Sequence, residues 1–193
     1  MSRLVDWELA RSIAERIAGD GDAEPKTEGP ALDEVEAGAR EAVLSYTGLE
    51  LEESPPAAEW VSRREWIEIN LAGLRASLEL VEERFGGMLA LPGPARGVME
   101  AVVSKLTATE IGGLVGFAST KVLGQYEYPL LGGKRDPRLL FVGENIDAAH
   151  HALDADAETL LRWIALHECT HSVHFSSAPW LRTHLGANAR GLI

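Results

Sequence analysis

Cysteine is almost missing from this sequence: Cys169 is the single one in 193 residues. A lone thiol cannot close an internal disulfide, so a reducing, cytoplasmic setting is the expectation. Positive charge is scarce as well. Lys and Arg number 18 against 30 Asp and Glu, and residues 1–60 carry 15 acidic and 5 basic side chains, −10 of the net −12. Such a surface repels phosphate backbones and anionic lipid, which sets aside nucleic acid and membrane as partners. Long apolar runs are also lacking. The most apolar stretch, Ile111 to Ala118, is far shorter than the roughly 20 residues that span a bilayer. The first residues, Met1-Ser-Arg-Leu-Val-Asp-Trp7, have no apolar core of the kind a secretion signal needs.

What the sequence does hold is 46% hydrophobic residues, enough for one core with a helical annex. Leu4, Leu9, Ile13 and Ile17 fall near helical spacing and predict an amphipathic helix over 3–18. Residues 19–30, with two Asp, two Glu, three Gly and two Pro, read as an acidic linker. A second helix is expected over 31–46, stopping near Gly48, and the acidic Glu50 to Pro56 stretch reads as loop. Trp66, Ile69, Leu74, Leu78 and Val81 predict a longer helix over 62–85, closed by Gly86-Gly87. Pro94 suits the first position of a helix that runs to about Gly124. Gly112, Gly113 and Gly116 lie inside it. Each costs roughly 1 kcal/mol against alanine, which close packing on a neighbour, or a kink, would explain. Gly132-Gly133 and Asp136-Pro137 mark turns, and Arg138 to Gly143 has strand character. Asp154 or Asp156 caps the next helix, to about Phe175, and Pro179 prevents simple continuation.

That last helix carries His167-Glu-Cys-Thr-His171. Residues four apart share one helix face, so both imidazoles can turn to a single ion, as tetrahedral zinc requires. Glu168 is about 100° round the axis, where it reaches a metal-bound water without ligating the metal. Zinc lowers that water's pKa, and a carboxylate that takes its proton makes a nucleophile for a peptide carbonyl. Cys169 points the other way, towards the core. Leu160, Trp163 and Ile164 continue the histidine face as an apolar floor. Two core histidines that merely happen to be four apart are the plainer reading of the same residues.

A zinc site of this kind needs a third protein ligand. No Asp or Glu follows Glu168. The candidates are first a group outside these 193 residues, then His184 past the Pro179 turn, then His174. His174 is seven residues from His167, about 10.5 Å along the axis, which strains convergence. His150 and His151 precede the helix and read as surface residues.

Seven ordered segments resemble the zincin-like metallopeptidase type 2 family, bacterial proteins of which some are labelled with deazaflavin-coenzyme biosynthesis. They are Val5-Asp-Trp7 with Leu9-Ala10, Thr47-Gly-Leu49, Arg64-Glu-Trp66 with Asn70, and Val122-Leu-Gly-Gln-Tyr126. Leu140-Phe-Val-Gly-Glu-Asn-Ile146, Trp163 with the 167–171 motif and Phe175, and Pro179-Trp-Leu-Arg-Thr-His-Leu185 complete the set. The resemblance implies that His167 and His171 ligate Zn2+ and that Glu168 is the catalytic base. Family members continue past the Pro179 segment, and the resemblance places a further acidic ligand there, beyond Ile193.

The expected fold is therefore α+β, mainly helical and zincin-like, with a small sheet. Residues 1–93 are expected to form a helical region and 94–193 the metal-site region of one incomplete domain. The expected function is zinc-dependent hydrolysis of a peptide or protein substrate; the rival is a non-catalytic metal-binding or interaction protein. In zincins an edge strand holds the substrate, and Leu139 to Gly143 is the candidate, with an ordinary core strand as the alternative. Tyr126, Tyr128 and Arg182 are candidates to steady an oxyanion.

Overall fold

Strand β3 (Arg138–Phe141) is the element on which the rest is assembled. The computed structural model describes residues 4–21, 24–25, 29–85, 96–129 and 135–192. Around β3, in chain order, stand α1 (Trp7–Ala18), α2 (Leu32–Thr47), β1 (Ala58–Trp60), α3 (Arg63–Phe85), α4 (Arg96–Ser119), β2 (Gly124–Glu127), α5 (Gly143–Leu153), α6 (Ala157–Ser177) and α7 (Trp180–Leu192). β1 pairs parallel with β3, Ala58 opposite Leu139, and β2 pairs antiparallel, Gly124 opposite Phe141. The order β1-β3-β2 puts β3 in the centre. Alternate strand residues point to opposite faces. Leu139 and Phe141 accordingly join a core with α2, α5 and α6, while Leu140 and Val142 join a second core with α1, α3 and α4. The fold is α+β and mainly helical, as expected.

Helix α1 forms where the periodicity places it, with Asp6 capping the Leu9 N–H at 3.1 Å. Its buried face is not the expected one. Ala10, Ala14 and Ala18 are buried, and Ile17 is 45% exposed. The cause is α4, which lies against this face with its glycines. A Cβ at Gly112 would stand 2.5 Å from the Ala10 carbonyl oxygen, and one at Gly116 2.9 Å from Ala14 Cα. Two backbones this close admit only the smallest side chains, so Ala10 and Ala14 lie directly under the glycines, with the Cβ atoms of Ile13 and Ile17 beside them, each 3.0 Å from where a Cβ at Gly112 or Gly116 would stand. Close packing is thus what the α4 glycines serve, though Gly113 faces open space.

The expected helix over residues 94–124 ends earlier, at Ser119. Buried Asn145 donates its side-chain amide to the carbonyls of Ser119, at 2.7 Å, and Val122, at 2.6 Å. Those bonds satisfy carbonyl groups at the helix end, and the chain turns into β2. The segment Gly97–Ser119 is, by length and composition, apolar enough to cross a bilayer. That corrects the reading of 111–118 as the limit of the apolar run, because Val98, Met99, Val102, Val103 and Leu106 extend it on the N-terminal side.

Gly48 closes α2 at φ 66°, and Ser62 and Glu65 bond reciprocally to open α3. Strands β1 and β2 and helices α5 and α7 were not anticipated. Of the two candidate caps, Asp156 caps α6 through the Thr159 N–H at 2.8 Å. Asp154 instead ends α5 in the left-handed region, φ 49°. Pro179 separates α6 from α7. The expectations at Gly86-Gly87, Pro94 and Gly132-Gly133 lie outside the described residues.

Candidate metal centre

Helix α6 buries one side and exposes the other. Leu160, Leu161, Ile164, Ala165, Cys169 and Val173 face the core, while His167 and His171 lie on the exposed face. The two rings stand edge to face, centroids 5.1 Å apart and planes at 77°. Two imidazoles held at about 2.0–2.1 Å from one tetrahedral ion have ring centres roughly 5 Å apart, a separation that this pair meets. Trp163 stacks on His167 at 6.3 Å, whereas Leu160 and Ile164 lie in the core. The expected apolar floor is therefore a single exposed tryptophan. Cys169 points inward as expected: its sulfur lies 3.8 Å from the Glu36 carbonyl, and burial pushes the thiol up to about 12.

Glu168 lies between the two faces. The residue is 7% exposed, and its carboxylate leans onto strand β2, where Oε2 accepts the Tyr126 backbone N–H at 3.0 Å. Burial raises its pKa, against the opposing pull of His167, His171 and that N–H. The N–H is available because of the sheet's register. The Val142 N–H donates to the Leu123 carbonyl, so Leu123, Gln125 and Glu127 face β3 while Gly124 and Tyr126 turn their polar groups outward. Beside the carboxylate opens a cleft of about 670 Å³, whose lining includes Glu168, His171, Tyr126, Tyr128, Phe175 and Asn70.

Strand β3, the candidate substrate-binding edge, has both edges paired and is a core strand. The edge strand beside the motif is β2. Tyr128 and Arg182 are engaged with each other: Arg182 Nε donates to the phenol oxygen at 2.6 Å and the guanidinium lies over the ring at 4.7 Å. Tyr128 also packs on Phe175, centroids 4.3 Å apart. Burial pushes the Tyr126 phenol well above its ordinary pKa, so it stays a neutral donor.

The sequence pattern of the zincin-like metallopeptidases matches residues 5–193. The chain belongs to that family. A solved structure from Chloroflexus aurantiacus, described as a "putative hydrolase with a novel fold", matches at TM-score 0.69 and 30% identity. The match covers 97% of this chain and 58% of that one, so the chain spans a little over half the length of that relative. No curated protein matches.

Among the described residues, no group of three or more His, Cys, Asp or Glu side chains is placed to hold a metal ion. His184 lies on α7, where its Nε2 pairs with Asn188 at 3.1 Å and its ring leans on Trp180. His174 leans on Phe175. His150 and His151, at the end of α5, direct Nδ1 to the carbonyls of Ala155 and Asp147. None of the four joins His167 and His171. Sequence reasoning singled out neither Gly124 nor the Tyr126 N–H as partners of the site, and only the quoted 122–126 segment pointed towards them.

Proposed function

We propose that this zincin-like metallopeptidase is a zinc-dependent hydrolase of peptide bonds. The observation that carries the reading is the edge-to-face pair of His167 and His171, 5.1 Å apart, beside a buried carboxylate at a cleft. His167 and His171 would hold the ion, with a third ligand from outside the described residues. Zinc bound there lowers the pKa of a water and polarises a carbonyl. Glu168 takes the proton as the water oxygen bonds to the peptide carbon, then delivers it to the amine nitrogen as the C–N bond breaks. A carboxylate raised by burial suits both transfers, since it accepts a proton readily and can release it again. The cleft, walled by Tyr126, Tyr128 and Phe175, offers an apolar side chain a seat within reach of Glu168.

Zinc content and hydrolysis of a peptide library test the reading together. We expect stoichiometric zinc in the wild type and its loss in His167→Ala. Glu168→Gln should keep the metal and lose about 10²-fold or more in kcat, the usual worth of a general base. Equal turnover by Glu168→Gln would end its assignment as base.

The incomplete ligand set supports a second reading, a metal-binding or interaction protein without catalysis. Zinc held by four protein ligands, with no turnover in the wild type, would decide for it.

A further inference from the structure

We infer that Gly124 is a positioning residue for Glu168, a glycine kept so that the carboxylate stem can lie on the strand. The inference rests on the reading of Glu168 as the base. Gly124 pairs with Phe141, whose side chain belongs to the core shared with α6, so a side chain at 124 would project towards that helix. The space is already filled. A Cβ at Gly124 would meet Glu168 Cγ at 2.7 Å, Oε1 at 3.0 Å and Cδ at 3.1 Å, and its three nearest neighbours all belong to this one residue.

Backbone conformation does not account for the glycine. Gly19 and Gly48 are the positive-φ glycines among the described residues, and Gly124 is not one of them. The strand geometry there is open to any L residue, and β-strands disfavour glycine. What remains is the approach of Glu168. That side chain has little room to give, because its Oε2 is tied to the Tyr126 N–H at 3.0 Å and its stem is buried between α6 and β2. A methyl group at 124 would lift the carboxylate off the strand and free the Tyr126 N–H. The cradle therefore has two parts, a missing side chain at 124 and an outward N–H at 126, set two residues apart by the strand's own period.

Amide hydrogen exchange reads this without any turnover. The Tyr126 amide, bonded to Glu168, is the reporter, and the Val142 amide, bonded across the sheet to Leu123, is the internal control. We expect Tyr126 to exchange at least about tenfold faster in Glu168→Ala and in Gly124→Ala, with Val142 unchanged. The double variant should exchange no faster than Glu168→Ala alone, since both changes remove one contact. Unchanged Tyr126 protection in Gly124→Ala, additive losses, or equal losses at Val142 would overturn the proposal. If Gly124→Ala does not fold, adding Glu168→Ala should restore folding by removing the clash; a double variant that stays unfolded overturns it too. With metal bound, Gly124→Ala should lower kcat about 10²-fold at unchanged zinc content and KM. Absence of hydrolysis by the wild type would refute the peptidase reading and leave the exchange result to decide the role of Gly124.

Discussion

Two neighbouring residues of α6 meet opposite environments, and their chemistry separates accordingly. Glu168 opens onto a cleft and has a backbone donor, whereas Cys169, one step round the helix, is sealed in the core with its thiol pushed up to about 12. Since the thiolate is the reactive form, Cys169 is expected to resist thiol reagents in the folded protein at pH 8 and to react fully in denaturant. Rapid labelling of native protein would show that this side of α6 opens. Much of this was legible in the sequence, because helical spacing alone sets His167, Glu168, Cys169 and His171 on their respective faces. The partners of Glu168 were not. Tyr126 is 42 residues away, and only tertiary packing brings its N–H to the carboxylate.

At the scale of elements, the long helices announced themselves by periodicity and by their stops. Gly48 and Asp156 stand where their chemistry predicts. The strands β1 and β2 did not, since Ala58-Glu-Trp60 and Gly124-Gln-Tyr-Glu127 lack the apolar run that marks the equally short β3. Helix α5 begins directly after β3 at Val142 with no side-chain cap, so nothing in the sequence signals its start. The α1–α4 contact is the clearest miss. Isoleucines looked like the core face, yet the buried positions are Ala10, Ala14 and Ala18, and Ile13 and Ile17 meet the α4 glycines only at their Cβ atoms. This contact predicts opposite outcomes for two adjacent positions. Gly112→Ala places a methyl group 2.5 Å from the Ala10 carbonyl oxygen and should destabilise by about 1–3 kcal/mol. Gly113→Ala meets open space and should stabilise by about 1 kcal/mol through helix propensity. Urea titration of the two variants measures both, and a Gly112 variant as stable as the wild type would refute the close contact.

For the molecule as a whole, β3 is the shared wall of two cores, with Leu139 and Phe141 in one and Leu140 and Val142 in the other. Damage to either core should therefore be felt in both. Leu140→Ala is expected to cost about 2–5 kcal/mol. It should shift the urea midpoint for Cys169 labelling, across the sheet, as far as that for helix loss by circular dichroism. A labelling midpoint left in place would mean that the two sides unfold separately. The carboxylate resting on β2 has one more consequence, at the level of encounters between molecules. Outer strands with vacant amides invite cross-molecular pairing, the first step of sheet-driven aggregation. Here β2, the outer strand beside α6, is four residues long, and its Tyr126 N–H is already taken by Glu168. A foreign chain arriving there meets anionic oxygen where it would need a vacant donor, so the proposed base also guards solubility.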